Sequence, residues 1–224
     1  MSKPSPEKRV GEWYGVYDLE IKRICPDYEM GLDAVAKNLS LHSATKVLEL
    51  GCGTGNLSAR ILSRCREVKL VGVDNNEQML EQARVKLKTF ADRVNLIHRD
   101  VTEVDLTGFE QVVSSLLFHL LSKEKRDLLF ERIIHSKVRE VIVFDRVKGE
   151  TSTQEKKNLQ SFARNLSQHE IAGVLYQALV KESRANQPLS LSELKNIFAY
   201  FHLKVIYQNP QHGFTGYKLA RLNY

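Results

Sequence analysis

Cysteine, proline and tryptophan are scarce in this chain: three, five and one in 224 residues. Cys25, Cys52 and Cys65 have no metal-ligand spacing, and pairing any two leaves the third over. That excludes a disulfide-stapled scaffold and points to a reduced, cytoplasmic setting. No run of eighteen uncharged apolar residues occurs, so no membrane-spanning helix is expected. Met1 to Arg9 is polar and contains proline but no apolar core, which reads against a signal peptide. Internal repeats, low-complexity tracts and runs of five like charges are missing too. Lys and Arg outnumber Asp and Glu by 33 to 27, a net charge of +6. That excess is compatible with a nucleic-acid partner but does not favour one, because the cations are dispersed. Arg60, Arg64, Arg66 and Lys69 fall on one segment and Arg84, Lys86 and Lys88 on the next, the flanks of a fold rather than its ligand edge. A solvated basic surface is the simpler reading. What the chain does have is 42% hydrophobic residues, enough for one well-buried domain.

The most informative stretch is Val47 to Gly55, Val-Leu-Glu-Leu-Gly-Cys-Gly-Thr-Gly. A short apolar strand, Lys46 to Leu50, runs into a turn with glycines at 51, 53 and 55, and a helix begins near Asn56. Glycines there allow positive φ and close approach of a ligand, and a glycine loop feeding a helix N-terminus suits a nucleotide. The spacing is not the dinucleotide pattern, and no Gly-Lys-Ser/Thr follows, so a phosphate-gripping loop is disfavoured. Glu49 at the strand tip would repel phosphate but attract an ammonium or sulfonium centre. A second strand over 68–74 ends in Asp74, 25 positions after Glu49 (74 − 49), about the distance at which a carboxylate grips ribose hydroxyls. A third, Val94 to His98, leads to Asp100. A fourth, Glu110 to Ser115, ends in two serines. Carboxylates thus gather at the carboxyl ends of three strands, where open α/β sheets bind ligands. Cys52 reads as a small residue fitting a tight turn, with a catalytic thiol as the alternative.

Glu49-x-Gly51-x-Gly53-x-Gly55, Asp74 and Asp100 resemble the nucleoside-binding set of class I S-adenosylmethionine (SAM) methyltransferases, over residues 14–222. The resemblance implies SAM as cofactor. It implies that the Gly51–Gly55 loop passes under the methionine part, with Glu49 orienting the ammonium. Asp74 would accept both ribose hydroxyls, with Asn75 and Met79 flanking the adenine. Asp100, helped by the backbone of Val101, would meet the adenine amino group, and Ser114 and Ser115 would lie below the sulfonium. It also implies a Rossmann-like α/β/α sandwich of seven strands with an antiparallel last strand and a helical lid.

The rest of the chain fits that frame. Residues 1–45 read as an N-terminal helical cover, with helices over 8–24 and Gly31 to Leu39. Residues 46–148 form the SAM-binding core. In it, Ser122 caps a helix whose Leu128, Leu129, Ile133 and Ile134 face the sheet, and Glu140 to Val147 is strand five. Residues 149–189 read as a two-helix lid, with Ser152 and Glu155 as a capping box; an added packing layer is the alternative. Residues 190–224 give a closing helix, capped by Ser190 and Glu193, and a hairpin of Leu203–Gln208 and Phe214–Leu222.

Methyl transfer from a sulfonium needs mainly alignment of the acceptor. A base is needed only for a protonated acceptor. His119, just past strand four, is the leading candidate, with a structural histidine as the alternative. Tyr14 is a second candidate. Tyr17 and Tyr28 belong to a segment similar to the cover of small-molecule methyltransferases, although each tyrosine also suits ordinary packing. Arg164, His169, Glu170 and Tyr176 on the lid rank lower. The expected activity is methyl transfer to a small-molecule acceptor, with no metal, no membrane and a homodimer compatible with the sequence. The alternatives are a tRNA-related SAM enzyme and a non-catalytic SAM-binding activator. The tRNA-related reading includes carboxy-SAM synthase, which Asp74-Asn75, Phe162-x-Arg164 and Glu170-Ile171 resemble. An arginine expected for its extra carboxylate falls near Leu175, which counts against it, and the intact glycine loop counts against the activator.

Overall fold

The computed structural model describes residues 16–40, 46–167, 188–209 and 213–222. Tyr14, residues 168–187 of the expected lid and residues 210–212 of the expected hairpin loop lie outside them. The first described element is a helix over 16–24, α1. Then follow α2 (Tyr28–Lys37), β1 (Lys46–Leu50), α3 (Asn56–Arg64), β2 (Lys69–Asp74), α4 (Glu77–Lys86), β3 (Val94–His98), β4 (Gln111–Ser115), α5 (Lys123–His135) and β5 (Glu140–Arg146). The remaining elements are α6 (Ser152–Ser167), α7 (Leu191–Ile197), β6 (Phe201–Gln208) and β7 (Phe214–Arg221).

The seven strands form one sheet in the order β3-β2-β1-β4-β5-β7-β6. β1 to β5 pair in parallel, and β7 runs antiparallel to both β5 and β6. The expected seven-stranded α/β/α sandwich with an antiparallel last strand is therefore what the chain forms. The order reverses between β1 and β4, and the carboxyl edge at such a switch point is where open α/β sheets bind ligands.

Central strands alternate between two covered faces. Leu48, Leu50, Val112, Val141 and Val143 pack on the side of α5 and α7 with Leu129, Phe130, Ile133, Leu194 and Phe198. Val47, Val113, Ile142 and Phe144 pack on the other side with α2, α3 and α4, through Leu32, Val35, Leu57, Ile61, Ala83 and Leu87. Strands buried on both faces read as near-continuous apolar runs, which is why they are visible in sequence.

Several expectations need correction. The second helix begins at Tyr28, three residues before Gly31. It is a sheet-packing helix, since Leu32, Val35 and Ala36 are wholly buried. On α5, Leu128 points to solvent at 47% exposure, while Arg126 takes the inner row with Leu129, Phe130 and Ile133. Ser122 does cap that helix, accepting from the Lys125 N–H at 3.3 Å. Ser152 does not cap α6. The Gln154 N–H meets Thr151 Oγ1 at 3.2 Å, and Glu155 binds Arg146 at 2.5 Å and the Gly149 N–H at 2.8 Å. Ser190 and Glu193 do form the expected reciprocal capping box.

Candidate functional site

The glycine loop is pinned to the end of β2. The Gly51 and Cys52 N–H groups both donate to the Val73 carbonyl, at 2.8 and 3.0 Å. Gly51, Gly53 and Gly55 all have positive φ, of 68°, 51° and 80°. A side chain at Gly53 would meet nothing within 4 Å. The loop is therefore open at Gly53, while Cβ atoms at Gly51 and Gly55 would press on Leu117 and Leu87. Cys52 is buried, and burial pushes its thiol far above the ordinary range, so it fills the turn rather than serving as a nucleophile.

Glu49, on the strand that leads into this loop, is wholly buried. One oxygen accepts from Ser58 Oγ in a short hydrogen bond. The other, Oε1, has no hydrogen-bond partner among the described residues. Burial, with Asp74 adding to it against Ser58, pushes the Glu49 carboxyl up to about 8. A buried carboxylate oxygen left open is costly unless a donor or cation completes it.

Asp74 accepts from the Gly53 N–H on Oδ2 at 2.8 Å and from the Asn76 N–H on Oδ1 at 2.9 Å. Each oxygen keeps a further acceptor position. Burial raises its pKa, against the backbone donors. Asn76 caps α4 through the Met79 N–H at 3.1 Å. Met79 and Val101 are buried, whereas Asn75 is exposed. Asp100 is already engaged: Oδ1 accepts from the Thr102 N–H and hydroxyl, and Oδ2 from Lys125 at 2.5 Å. The Lys125 bond leads in lowering the carboxyl to about 2. Ser115 is half-buried, but Ser114 is spent, donating to the Leu50 carbonyl at 2.8 Å. Just beyond, Leu116 holds a left-handed φ of 53°, a strained state for a non-glycine residue that recurs at ligand sites.

α1 and α2 reach the loop through polar side chains. The Asn56 amide donates to the Tyr28 hydroxyl at 3.1 Å and to Asp18 at 2.8 Å. Tyr17 packs against the buried cluster that includes Tyr28 and Cys25, and burial lifts its hydroxyl well above the ordinary value, with Tyr28 and Asp74 contributing. Lys86 is no flanking cation: its ammonium reaches Asp18 at 2.5 Å and Thr54 at 3.1 Å.

His119 lies in the turn after β4, and its Nδ1 meets Asp145 Oδ1 in a short contact. Asp145, buried on β5, also accepts from the Phe118 N–H and the Arg146 N–H, each at 2.7 Å. Such a carboxylate fixes the ring and its tautomer and leaves Nε2 to accept a proton. His119 and Asp145 border a small cavity together with Arg126, Arg146, Tyr217 and the apolar side chains of α5 and α7. Asp145 escaped the sequence reading, although a carboxylate near the end of a fifth strand repeats the signal seen at strands one to three. Asp18, Lys86 and Ser58 carry no such signal, because their roles arise from contacts between segments far apart in the chain.

Residues 47–136 match the family described as Methyltransferase domain. A carboxy-S-adenosyl-L-methionine synthase of Campylobacter concisus is 36% identical over 121 residues, covering 53% of this chain and 51% of that one. The chain thus spans about half the length of this curated relative. An uncharacterized methyltransferase of Bacillus licheniformis is 28% identical over 193 residues, 85% of this chain and 83% of that one. Among solved structures, the plantazolicin methyltransferase BpumL, in complex with a monoazolic desmethylPZN analog and SAH, superposes with a TM-score of 0.66. It covers 97% of this chain and 91% of that one at 16% identity, a likeness of fold. The matched domain thus falls within the α/β core that carries the glycine loop, and the seven-stranded sheet with its antiparallel last strand is the fold shared with that methyltransferase structure. Among the described residues no helix is long and apolar enough to cross a membrane.

Proposed function

We propose that the chain binds SAM at the carboxyl edge of β1, β2 and β3 and transfers its methyl group to a small-molecule acceptor in the cytoplasm. The observation that carries this reading is Glu49 Oε1, a buried acceptor without a hydrogen-bond partner among the described residues, on the strand that feeds the glycine loop and its open position at Gly53. An α-ammonium is the group it fits, and SAM supplies that ammonium together with an already activated sulfonium. The Gly51–Gly55 backbone lies under the methionine part, and Asp74 receives the ribose hydroxyls on its remaining acceptor positions. Met79, Asn75, Val101 and Asp100 border the adenine, Asp100 keeping Lys125 or exchanging it for the base. Tyr17 and Tyr28 close the site from α1 and α2. His119, oriented by Asp145, takes the proton of a hydroxyl or protonated-amine acceptor.

The test is a screen of amines, phenols and carboxylates with methyl-labelled SAM, followed by His119→Ala on the best acceptor. Transfer should fall by ~10²–10⁴ with donor affinity nearly intact. A full-rate variant would remove His119 from the chemistry and leave Tyr14 as the other base candidate. The 36% identity to a carboxy-SAM synthase supports a second reading, in which SAM itself is the group modified. The mass of the nucleoside recovered after turnover separates the two: S-adenosylhomocysteine (SAH) for methyl transfer, a carboxylated SAM for the alternative.

A further inference from the structure

We infer that Lys86 and Asp18 form a clasp that holds the N-terminal helix across the glycine loop and so positions Tyr17 over the donor site. This rests on the donor-site reading above. Lys86 sits in the last turn of α4, where a lysine ordinarily trails into solvent. Here its ammonium is fully engaged: it donates to Asp18 Oδ2 at 2.5 Å, to Thr54 Oγ1 at 3.1 Å and to Asn56 Oδ1. An ammonium has three donors, and all three are used. Asp18 in turn accepts on Oδ1 from the Thr54 hydroxyl at 2.6 Å and the Asn56 amide at 2.8 Å.

Four side chains therefore tie together three segments distant in sequence: α1, the exit of the glycine loop into α3, and the end of α4. The pair is only part exposed, with 27% of the Lys86 side chain and 39% of the Asp18 side chain open to solvent. An isolated surface ion pair is worth little; a five-bond, half-buried network bearing both charges is the exception that holds an element in place. Asp18 stays below its ordinary carboxylate range although burial alone would raise it, because Lys86, Thr54 and Asn56 all bond to it. Tyr17 is the adjacent residue on α1; it packs against the buried cluster that includes Tyr28, and its hydroxyl feels both Tyr28 and Asp74. Thr54 and Asn56 are also the residues that carry the loop from Gly53 into α3. The clasp therefore fixes the floor and the cover of the site in one network, with Lys86 as a positioning residue that touches no ligand.

The experiment compares the chain with its Lys86→Met, Asp18→Ala and Lys86→Arg variants, by amide exchange over residues 16–24 and by calorimetric SAH affinity. Lys86→Met and Asp18→Ala should each speed exchange over 16–24 and weaken SAH about tenfold, the scale of losing a charge-assisted hydrogen bond. Lys86→Arg, which keeps the charge and the donors, should restore most of both. Exchange over 16–24 that stays at the wild-type rate in Lys86→Met overturns the clasp. Should the wild-type chain take up no SAH, the donor-site reading fails on its own, and the exchange comparison still decides the clasp.

Discussion

Glu49 sits among Val47, Leu48 and Leu50 on the buried part of β1, and among the described residues it is the strand-tip acid whose carboxyl keeps a buried oxygen without a hydrogen-bond partner. Its pKa of about 8 against an ordinary 4.5 sets a sign. The folded state holds the proton more tightly than the unfolded chain does. Stability from this group is therefore present below pH 4.5 and is lost as pH rises through about 8. A bound ammonium reverses the preference by favouring the ionised form. SAH affinity should therefore climb between pH 6 and 8 as Glu49 gives up its proton. Glu49→Gln should flatten that climb and weaken binding, while raising the melting temperature of the ligand-free chain at pH 8. A calorimetric pH series and parallel melts check this; a variant with wild-type pH dependence would place the ammonium elsewhere. Glu49 and Asp74 were legible because each ends an apolar strand run. Their partners, Ser58 and the Gly53 and Asn76 amides, emerge only once the loop has folded back.

Among the elements, α2 shows where packing overrides propensity. Gly31 faces the ring of Phe144, and an added Cβ would lie 2.3 Å from two of its carbons. In an exposed helix, Gly→Ala gains about 1 kcal/mol. Here Phe144 is completely buried and cannot yield, and overpacking of that kind costs about 1–3 kcal/mol. The clash wins, so Gly31→Ala should lower the melting temperature; a rise would show that α2 does not lie tight on β5. The glycine also explains why the helix starts ahead of its apparent boundary. Gly31 looks like a boundary in sequence, but it is an interior residue in the first turn that lets the helix approach the sheet, and Tyr28 is buried ahead of it. The α5 error has a similar origin. Apolar counting favoured Leu128 and could not anticipate that Arg126 would turn inward to the cavity beside His119. The Ser190–Glu193 box was readable because both halves of the signal are local, whereas Glu155 is drawn away by Arg146, a residue on another element.

For the whole molecule, the βαβ alternation and the closing hairpin made the seven-stranded sheet legible. Parallel strands buried on both faces leave little room for polar residues, and β6 and β7 flank an unmistakable turn sequence. The acceptor side was less legible, because methyl transfer constrains the donor site and leaves the acceptor pocket to variable contacts between distant segments. The central claim is that one SAM-type nucleoside binds at the carboxyl edge with its ribose on Asp74. Isothermal titration of SAH into the wild-type chain and Asp74→Ala, side by side, tests it most directly. Losing the acceptor of two hydroxyls removes roughly 1.5–3 kcal/mol per hydrogen bond before non-additivity. The wild-type chain should therefore bind one SAH, and the variant should bind at least tenfold more weakly. Silent heats in the wild type, or equal affinity in the variant, would contradict the assignment.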